Sequence, residues 1–272
     1  LSNNNSQGEY YLTDIVAMAV EQGFPVAATV TDDESQVAGV NSKQDLAGLE
    51  RVYQMRHATR LMQAGVTLLD PFRIDVRGEL QTGRDVEIDI GCVFSGKVSL
   101  ADGAKIGAYC VIHNAQIGAG TTVAPFTHME NVTIAGDCRI GPYARLRPGT
   151  VLGDDTHVGN FVELKNAQVD VGSKINHLSY IGDTTVGKQV NIGAGTITCN
   201  YDGANKFRTV IGDHAFIGSD SQLVAPVTIG AGATIGAGST ISKDAPAGEL
   251  TLARSRQATI PGWKRPQKKS GA

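Results

Sequence analysis

The sequence is poor in aromatic residues, which make up 6% of its 272 residues. It has no apolar run of the roughly eighteen residues needed to cross a bilayer, and its N-terminus lacks the basic and apolar segments of a secretory signal. The formal net charge is only −3. These absences exclude membrane insertion and predict a cytoplasmic protein.

Cysteine is also scarce, with four residues that form no CxxC pair: Cys92, Cys110, Cys138 and Cys199. This spacing indicates neither a zinc ribbon nor a disulfide framework, and no metal site is expected. Cys92 and Cys110 lie eighteen residues apart and are expected to stack on adjacent coils in reduced form.

What the sequence has instead is a repeat of six, in which an aliphatic residue returns at every sixth position. This period fits neither an amphipathic helix nor an alternating strand, but it suits short parallel strands that turn a corner and stack as a solenoid. The repeat is unbroken in two runs and weaker from Ile88 to Val123: Ile134, Ile140, Leu146, Leu152, Val158, Leu164, and Ile211, Ile217, Leu223, Ile229, Ile235, Ile241. The positions between them are small or turn-forming, which accounts for the 33 glycines. We therefore predict a mainly β protein built as a parallel β-helix.

The two ends of the chain differ from the repeat. Residues 13–22 predict a short helix closed by Gly23, residues 24–31 a strand, and residues 42–64 a helix with a Ser42 cap. The last segment carries six basic residues and no acid after Glu249, which predicts either a solvated tail or a cationic arm for a polyanionic ligand: Arg254, Arg256, Lys264, Arg265, Lys268 and Lys269. The run is short and has only Trp263 as an aromatic, so it argues against nucleic acid.

The repeat itself predicts a cluster of cations. If three six-residue sides close one coil, residues eighteen apart stand on one face, one rung of about 4.8 Å along the axis. Arg147 and Lys165 have this spacing. An anion bridging them removes their repulsion, and arginine matches a phosphate with paired donors, so a phosphorylated small molecule is the leading ligand class. Two basic side chains splayed into water are the simpler alternative.

His177 interrupts the repeat within a polar stretch beside this predicted anion site. Neutral imidazole accepts a proton near pH 7, so His177 is a candidate general base. A histidine hydrogen-bonded at a coil corner is the competing interpretation.

Two further features predict binding surfaces. Residues 196–207 break the count of six and predict a loop that leaves the stack, from which Lys206 could bring a third cation to the anion. Ser219 and Ala237 are again eighteen apart and would line a track of small residues that exposes backbone amides to a thin ligand, with Arg254 just beyond it. Taken singly, each of these residues is equally well explained as an ordinary corner residue.

At these residues the sequence resembles a known family. The match lies in residues 145–149 (RLRPG), 157–165 (HVGNFVELK), 177–180 (HLSY) and above all 191–206 (NIGAGTITCNYDGANK). Over essentially the whole chain, these are similar to the C-terminal part of the bacterial bifunctional N-acetylglucosamine-1-phosphate uridylyltransferase/glucosamine-1-phosphate acetyltransferase family.

The resemblance implies a left-handed parallel β-helix that assembles as a homotrimer. It implies acetylation of glucosamine 1-phosphate by acetyl-CoA, a step towards UDP-N-acetylglucosamine for peptidoglycan and lipopolysaccharide. It implies His177 as the general base, with Arg147, Lys165, Tyr180, Asn191 and Lys206 as substrate-binding residues, and Ala194, Asn200, Tyr201, Ser219, Ala237 and Arg254 as acetyl-CoA-binding residues. A backbone amide near Ala194 would stabilise the oxyanion.

The sequence departs from the full family pattern at its start, because it has no G-x-G-T-R-M signature with a later Pro-Lys. We therefore expect the uridylyltransferase activity, and the Mg²⁺ it uses, to be absent. The expected organisation is a remnant of that domain at 1–40, a connecting helix at 41–68, the acetyltransferase β-helix at 69–248 and a basic arm at 249–272.

Three alternatives stay open at this point. A hexapeptide acyltransferase for another amine would not need the paired cations. A β-helical zinc hydratase would need three converging histidines, and the offsets between His113, His128, His157 and His177 are irregular. A scaffold without activity would leave the polar cluster and the inserted loop without a purpose.

Overall fold

The computed structural model describes residues 1–266, which divide into two compact units, Leu1–Val52 and Tyr53 onward. In the first unit, helix α1 (Asp14–Glu21) and a 3-10 turn at Glu34–Gln36 precede the start of helix α2 (Lys43–Gln63). No residue of this unit is buried. The strand predicted at residues 24–31 is wrong, because without a neighbouring strand these residues stay irregular.

Helix α2 begins and ends with the predicted capping residues. Ser42 Oγ accepts a hydrogen bond from the Asp45 N–H at 3.1 Å, and the Asp45 carboxylate accepts one from the Asn41 N–H. At the C-terminus, Gly65 has φ +92° and the Val66 N–H donates back to the Leu61 carbonyl, which is the Schellman arrangement.

Short strands fill the rest of the chain. Their bounds are β1 Thr67–Leu68, β2 Ile74–Thr82, β3 Glu87–Ile88, β4 Cys92–Leu100, β5 Lys105–Ile106, β6 Val111–Ile117, β7 Thr122–Val123, β8 His128–Ile134, β9 Arg139–Ile140, β10 Arg145–Leu146, β11 Thr150–Leu152, β12 His157–Asn160, β13 Glu163–Val169, β14 Lys174–His177, β15 Tyr180–Val186, β16 Asn191–Ile192, β17 Ile197–Cys199, β18 Thr209–Ile211, β19 Phe216–Ile217, β20 Gln222–Val224, β21 Val227–Ile229, β22 Thr234–Ile235, β23 Thr240–Ile241 and β24 Leu250–Thr251.

These strands stack as a parallel solenoid. One sheet has eleven strands and runs from β1 to β24. Another has thirteen, of which ten form a path from β2 to β23, while β11, β18 and β21 pair beside this path. The ladders that join successive coils are parallel, and they make a β-solenoid of about ten turns. The predicted β-helix is confirmed.

The prediction that each coil contains eighteen residues is wrong. Some coils do, as in the pair Arg145 and Glu163, but others contain seventeen, as in the pair Glu163 and Tyr180. Between β15 and β18 the offset is twenty-five, because residues 200–208 leave the stack as a loop. The loop was predicted from residue 196, but Ile197–Cys199 form β17 within the stack.

The interior of the solenoid is narrow and mostly aliphatic. The residues of the six-residue repeat are buried, with Ile140, Leu164, Ile217 and Ile235 at most 1% exposed. Small hydroxyl side chains complete the interior, and they donate to nearby backbone carbonyls, as Thr196 does to Gly193 at 2.8 Å. Hydrogen bonds of this kind remove the cost of burying a polar group.

A stack of exposed aromatic side chains runs along one line of corners. Tyr109, Phe126, Tyr143 and Phe161 succeed one another with ring centroids 5.4, 5.0 and 5.5 Å apart. Each has φ between +55° and +60°, a conformation that L residues adopt at a cost. The ring contacts offset that cost, so the ladder stabilises the corners.

The N-terminal edge of the stack is closed by Gln54 of α2. This side chain is 3% exposed, donates to the Val76 carbonyl at 3.0 Å and accepts from the Val76 N–H at 2.8 Å. The amide therefore replaces the missing strand next to β2.

Beyond β24 the described residues are exposed up to residue 266. The predicted basic residues Lys268 and Lys269 lie outside the described residues. Within residues 1–266, neither helix has the length and apolar character required to span a membrane.

Candidate functional site

Arg147 and Lys165 lie on neighbouring coils of the same face, as predicted. The residues before them pair in register, Leu146 with Leu164, and the Arg147 N–H donates to the Leu164 carbonyl at 2.8 Å. The third coil places Gly182 next to Lys165. Two cations therefore stand side by side above a residue without a side chain.

These cations have acidic neighbours, which the spacing argument did not foresee. The Arg147 guanidinium donates to Glu163 at 2.8 Å, and Arg145 lies 3.8 Å from the same carboxylate. The Lys206 ammonium, close enough to form a hydrogen bond, lowers the pKa of Lys165, and Arg147 adds to this effect, whereas the charge of Asp183 opposes it. An anion is thus not the only source of charge compensation, although the three cations still outnumber the two carboxylates.

The inserted loop that carries Lys206 has a defined turn. Tyr201 and Lys206 form an antiparallel bridge, and the Phe207 N–H donates to the Asn200 carbonyl at 2.9 Å. At its tip the Asp202 carboxylate accepts from the N–H groups of Asn205 and Ala204, which lowers the pKa of Asp202. A turn closed in this way holds Lys206 near Lys165 without a bound ligand.

Tyr180 leans over Gly182. A Cβ added to Gly182 would lie 2.4 Å from the Tyr180 hydroxyl oxygen, so only glycine leaves room for the phenol at this position. The ring thereby lies beside the Lys165 row. Tyr180 is one of the predicted site residues and Gly182 is not, because an isolated glycine among 33 carries no signal of its own.

His177 ends β14 and is exposed, and its ring nitrogen Nδ1 lies 3.0 Å from the amide oxygen of Asn160 on the coil below. An amide oxygen only accepts hydrogen bonds, so Nδ1 carries the proton and Nε2 is left as an acceptor. A base held by one nitrogen with the other free is the arrangement required for general-base catalysis.

His177 also begins the predicted track of small residues. The registers of β14, β16, β19 and β22 place His177, Ala194, Ser219 and Ala237 on successive coils. The Asp220 N–H donates to the Ala194 carbonyl at 2.7 Å, and the Gly238 N–H donates to that of Ser219 at 2.9 Å.

The backbone N–H groups along this track have no partner within the backbone of residues 1–266. In the part of the chain that the structure describes, those of Ala194, Ser219 and Ala237 donate to no other backbone group. Arg254 closes the track, with its guanidinium 2.6 Å from the Ala237 carbonyl oxygen. The track therefore offers a row of donors, a cation at one end and a base at the other.

The remaining predicted residues lie on the same coils. Asn191 begins β16, opposite Lys174 of the coil below. Asn200 is 8% exposed and its amide donates to Asp183, while the Tyr201 hydroxyl donates to the Gly203 carbonyl within the loop. Asn200 thus braces the loop and turns its amide inward.

The hydrogen bond with Cys110 lowers the pKa of Cys92, but this thiol is fully buried, and the pKa values of the other three cysteines are raised. The neighbouring Cys92 and then burial raise the pKa of Cys110, and burial raises the pKa of Cys138 and Cys199. All four are free thiols, so the predicted stack of Cys92 and Cys110 forms without a disulfide. Within residues 1–266, no group of three His, Cys, Asp or Glu side chains could hold a metal ion.

The repeats of the solenoid match family models of hexapeptide-repeat proteins. Residues 208–243 match the family model described as bacterial transferase hexapeptide (six repeats), and residues 76–169 match that of the GMPPB C-terminal domain.

The resemblance inferred from the sequence is confirmed by relatives named bifunctional protein GlmU. The chain is 75% identical to that of Methylobacillus flagellatus and 64% identical to that of Aromatoleum aromaticum, over 98% and 99% of its own length. It spans 58% and 59% of those relatives.

A solved structure supports the fold alone. The UDP-N-acetylglucosamine acyltransferase of Francisella novicida superimposes with a TM-score of 0.50 at 19% identity, over 65% of this chain and 66% of the other.

Proposed function

We propose that this chain transfers the acetyl group of acetyl-CoA to the amine of glucosamine 1-phosphate. The observation that carries the proposal is the shared column that joins His177 to the track of free N–H groups, next to the corner that leads to the basic cluster. His177 and Tyr180 lie three residues apart, at the end of β14 and the start of β15. A base thus stands between a surface suited to an acyl donor and one suited to a phosphate.

The sugar phosphate is assigned to the basic cluster. Arg147, Lys165 and Lys206 contribute three positive charges and Arg145 a fourth, against the two negative charges of Glu163 and Asp183, so a phosphomonoester dianion completes the balance. The guanidinium supplies a planar pair of donors and the lysines supply point charges. Tyr180 and Asn191 complete the sugar pocket in this assignment.

Acetyl-CoA is assigned to the track. Its pantetheine arm carries two amide groups, and the N–H groups of Ala194, Ser219 and Ala237 are placed to donate to such carbonyls. Small side chains keep this backbone accessible, and Arg254 is a cation for the phosphates of the nucleotide end. Asn200 and Tyr201, at the base of the loop, belong to the donor side of the site.

The reaction needs no covalent enzyme intermediate. The neutral amine attacks the thioester carbonyl, a C–N bond forms, and Nε2 of His177 takes the proton released by nitrogen. A backbone N–H near Ala194 stabilises the oxyanion. The C–S bond then breaks, and the CoA thiolate leaves and receives the proton. The product, N-acetylglucosamine 1-phosphate, is a precursor of UDP-N-acetylglucosamine.

The test is a steady-state assay of the purified chain with acetyl-CoA and a panel of amines. We expect turnover of glucosamine 1-phosphate and much slower turnover of glucosamine, because only the former carries the dianion. Equal rates with the two would refute the assignment. The homotrimer implied by the resemblance belongs to this proposal and is tested by sedimentation equilibrium.

Replacing the base gives the sharper prediction. His177→Ala should lower kcat about 10²-fold or more, as expected for loss of a general base, with the KM of both substrates little changed. His214→Asn is the control, since this exposed histidine lies at the corner before β19, apart from the residues of the proposed site, and asparagine tolerates its φ of +59°. An active His177→Ala variant would remove His177 from the mechanism.

A further inference from the structure

We propose that Asp183 is a positioning residue of the sugar-phosphate site: its carboxylate ties the inserted loop to the solenoid and sets the spacing of Lys165 and Lys206. The proposal rests on the proposed function, because it assigns these lysines to the phosphate. It concerns a residue that does not touch the reacting atoms.

The first observation is the corner at which Asp183 lies. It belongs to a column of corner residues with positive φ, in which the preceding coils carry glycine or asparagine: Gly96, Asn114, Asn131, Gly149 and Asn166. Asparagine and glycine are the residues that tolerate this conformation best. The corner conformation therefore does not require a charged side chain, because neutral residues adopt it on the earlier coils. The column carries a carboxylate at the coil where it comes close to the lysines.

The second observation is that both carboxylate oxygens have amide partners. Oδ1 accepts from the Asn166 amide at 2.6 Å, and Oδ2 accepts from the Asn200 amide. Asn200 is the residue at which the inserted loop leaves β17, and its carbonyl accepts the Phe207 N–H that closes the loop. Asp183 therefore holds the base of the loop that carries Lys206.

The third observation is the charge around this group. Burial would raise the pKa of Asp183, but the hydrogen bonds from Asn166 and Asn200 and the charges of Lys165 and Lys206 outweigh burial and hold this pKa below its ordinary value. The group is therefore a carboxylate at neutral pH, and it interacts with two ammonium groups that repel each other. Glu163, the other carboxylate of the cluster, is paired with Arg147 and does not provide this compensation.

The experiment compares the wild-type chain with Asp183→Asn. Asparagine fits the corner, as Asn166 shows one coil below, but it removes the charge and can accept from only one of the two amides. We expect the KM for glucosamine 1-phosphate to rise about tenfold, the effect of one lost hydrogen bond to a charged group, and the KM for acetyl-CoA to stay within about twofold.

A pH profile separates positioning from a merely structural role. The negative charge of Asp183 favours the protonated form of Lys165, and Lys206 and Arg147 disfavour it. Without the carboxylate, Lys165 loses its proton at lower pH, so the alkaline limb of kcat/KM for the sugar phosphate should move to lower pH in Asp183→Asn. A role in folding alone would leave this limb in place.

Asp137→Asn is the matched control, because Asp137 is an exposed corner residue with φ +56° outside the site, and it should behave as wild type. If Asp183→Asn does not fold, Asn166→Gly provides the test, since glycine occupies the same corner at Gly149. This variant should raise the KM for glucosamine 1-phosphate by a smaller factor. If the wild type turns over glucosamine 1-phosphate normally and Asp183→Asn has the same KM and the same alkaline limb, the role of Asp183 is wrong but the proposed function stands. Absence of wild-type turnover of glucosamine 1-phosphate would overturn the proposed function on which it rests.

Discussion

At the scale of single residues, the site depends on where side chains are missing as much as on where they are present. Gly182 has only backbone groups with which to form hydrogen bonds, such as the bond from its N–H to Thr198 Oγ1 at 2.7 Å, and its missing Cβ is what admits the ring of Tyr180 beside Lys165. Charged residues such as Arg147 can be recognised as site candidates from the sequence. A glycine that makes room for a neighbouring side chain cannot, because its role depends on a contact that only the structure shows.

Gly182→Ala tests this interpretation. The added methyl group would lie 2.4 Å from the Tyr180 oxygen and 2.7 Å from its Cζ, so the ring must move. We expect kcat/KM for glucosamine 1-phosphate to fall about tenfold or more, since a misplacement of about 1 Å in a positioned group can cost that much.

The control for this substitution is Gly48→Ala in α2, where a Cβ meets nothing within 4 Å. It should leave activity unchanged and add up to about 1 kcal/mol of stability, because alanine is the better helix former. A Gly182→Ala variant as active as this control would show that the ring does not need its observed place.

At the scale of elements, the sequence predicted the strands well and their register less well. The aliphatic repeat fixes which residues face inward, so β-strand positions and the buried set follow from period alone. The alternation between seventeen and eighteen residues per coil does not, since a corner can lose one residue without changing which side chains are buried. For that reason the pairs Asn160 with His177 and Asn166 with Asp183, both seventeen apart, were invisible to a search at eighteen.

The varying number of residues per coil also explains which site residues the spacing of eighteen could identify. Arg147 and Lys165 were located because their coil has eighteen residues. The continuation of the small-residue track from Ser219 back to Ala194 was not, because the inserted loop stretches that offset to twenty-five. The carboxylates that accompany the cations were missed for a different reason: a spacing rule pairs positions and is silent about the direction of flexible side chains.

The aromatic ladder gives a prediction at this scale. Phe126→Ala removes two ring contacts, each worth about 0.5–1.5 kcal/mol, so the free energy of unfolding should fall by about 1–3 kcal/mol. Phe126→Tyr keeps both contacts and should be close to neutral. Denaturant unfolding of the three proteins measures these differences, and equal stabilities for all three would mean that the stacking contributes nothing.

At the scale of the whole molecule, the two units differ in what holds them together. The solenoid buries a continuous aliphatic core, whereas residues 1–52 bury no side chain. In a stack of repeats, stability comes from each coil and its neighbours, so the solenoid does not need the first unit.

Removal of residues 1–41 tests this conclusion. We expect the melting temperature to change by less than about 3 °C, because little or no buried area is lost and 1 kcal/mol corresponds to roughly 2–4 °C in a domain of this size. Calorimetry of both proteins measures the change. A large decrease would mean that the first unit supports the second.

The repeat of a β-solenoid does not by itself limit the number of coils, because the first strand leaves an edge with which another chain could pair. Gln54 blocks this edge at Val76, since its amide forms hydrogen bonds with both the N–H and the carbonyl of that residue. A single side chain on a helix thereby keeps the strand of another chain from pairing at Val76, so the length of this solenoid is limited at its end as well as along its repeats.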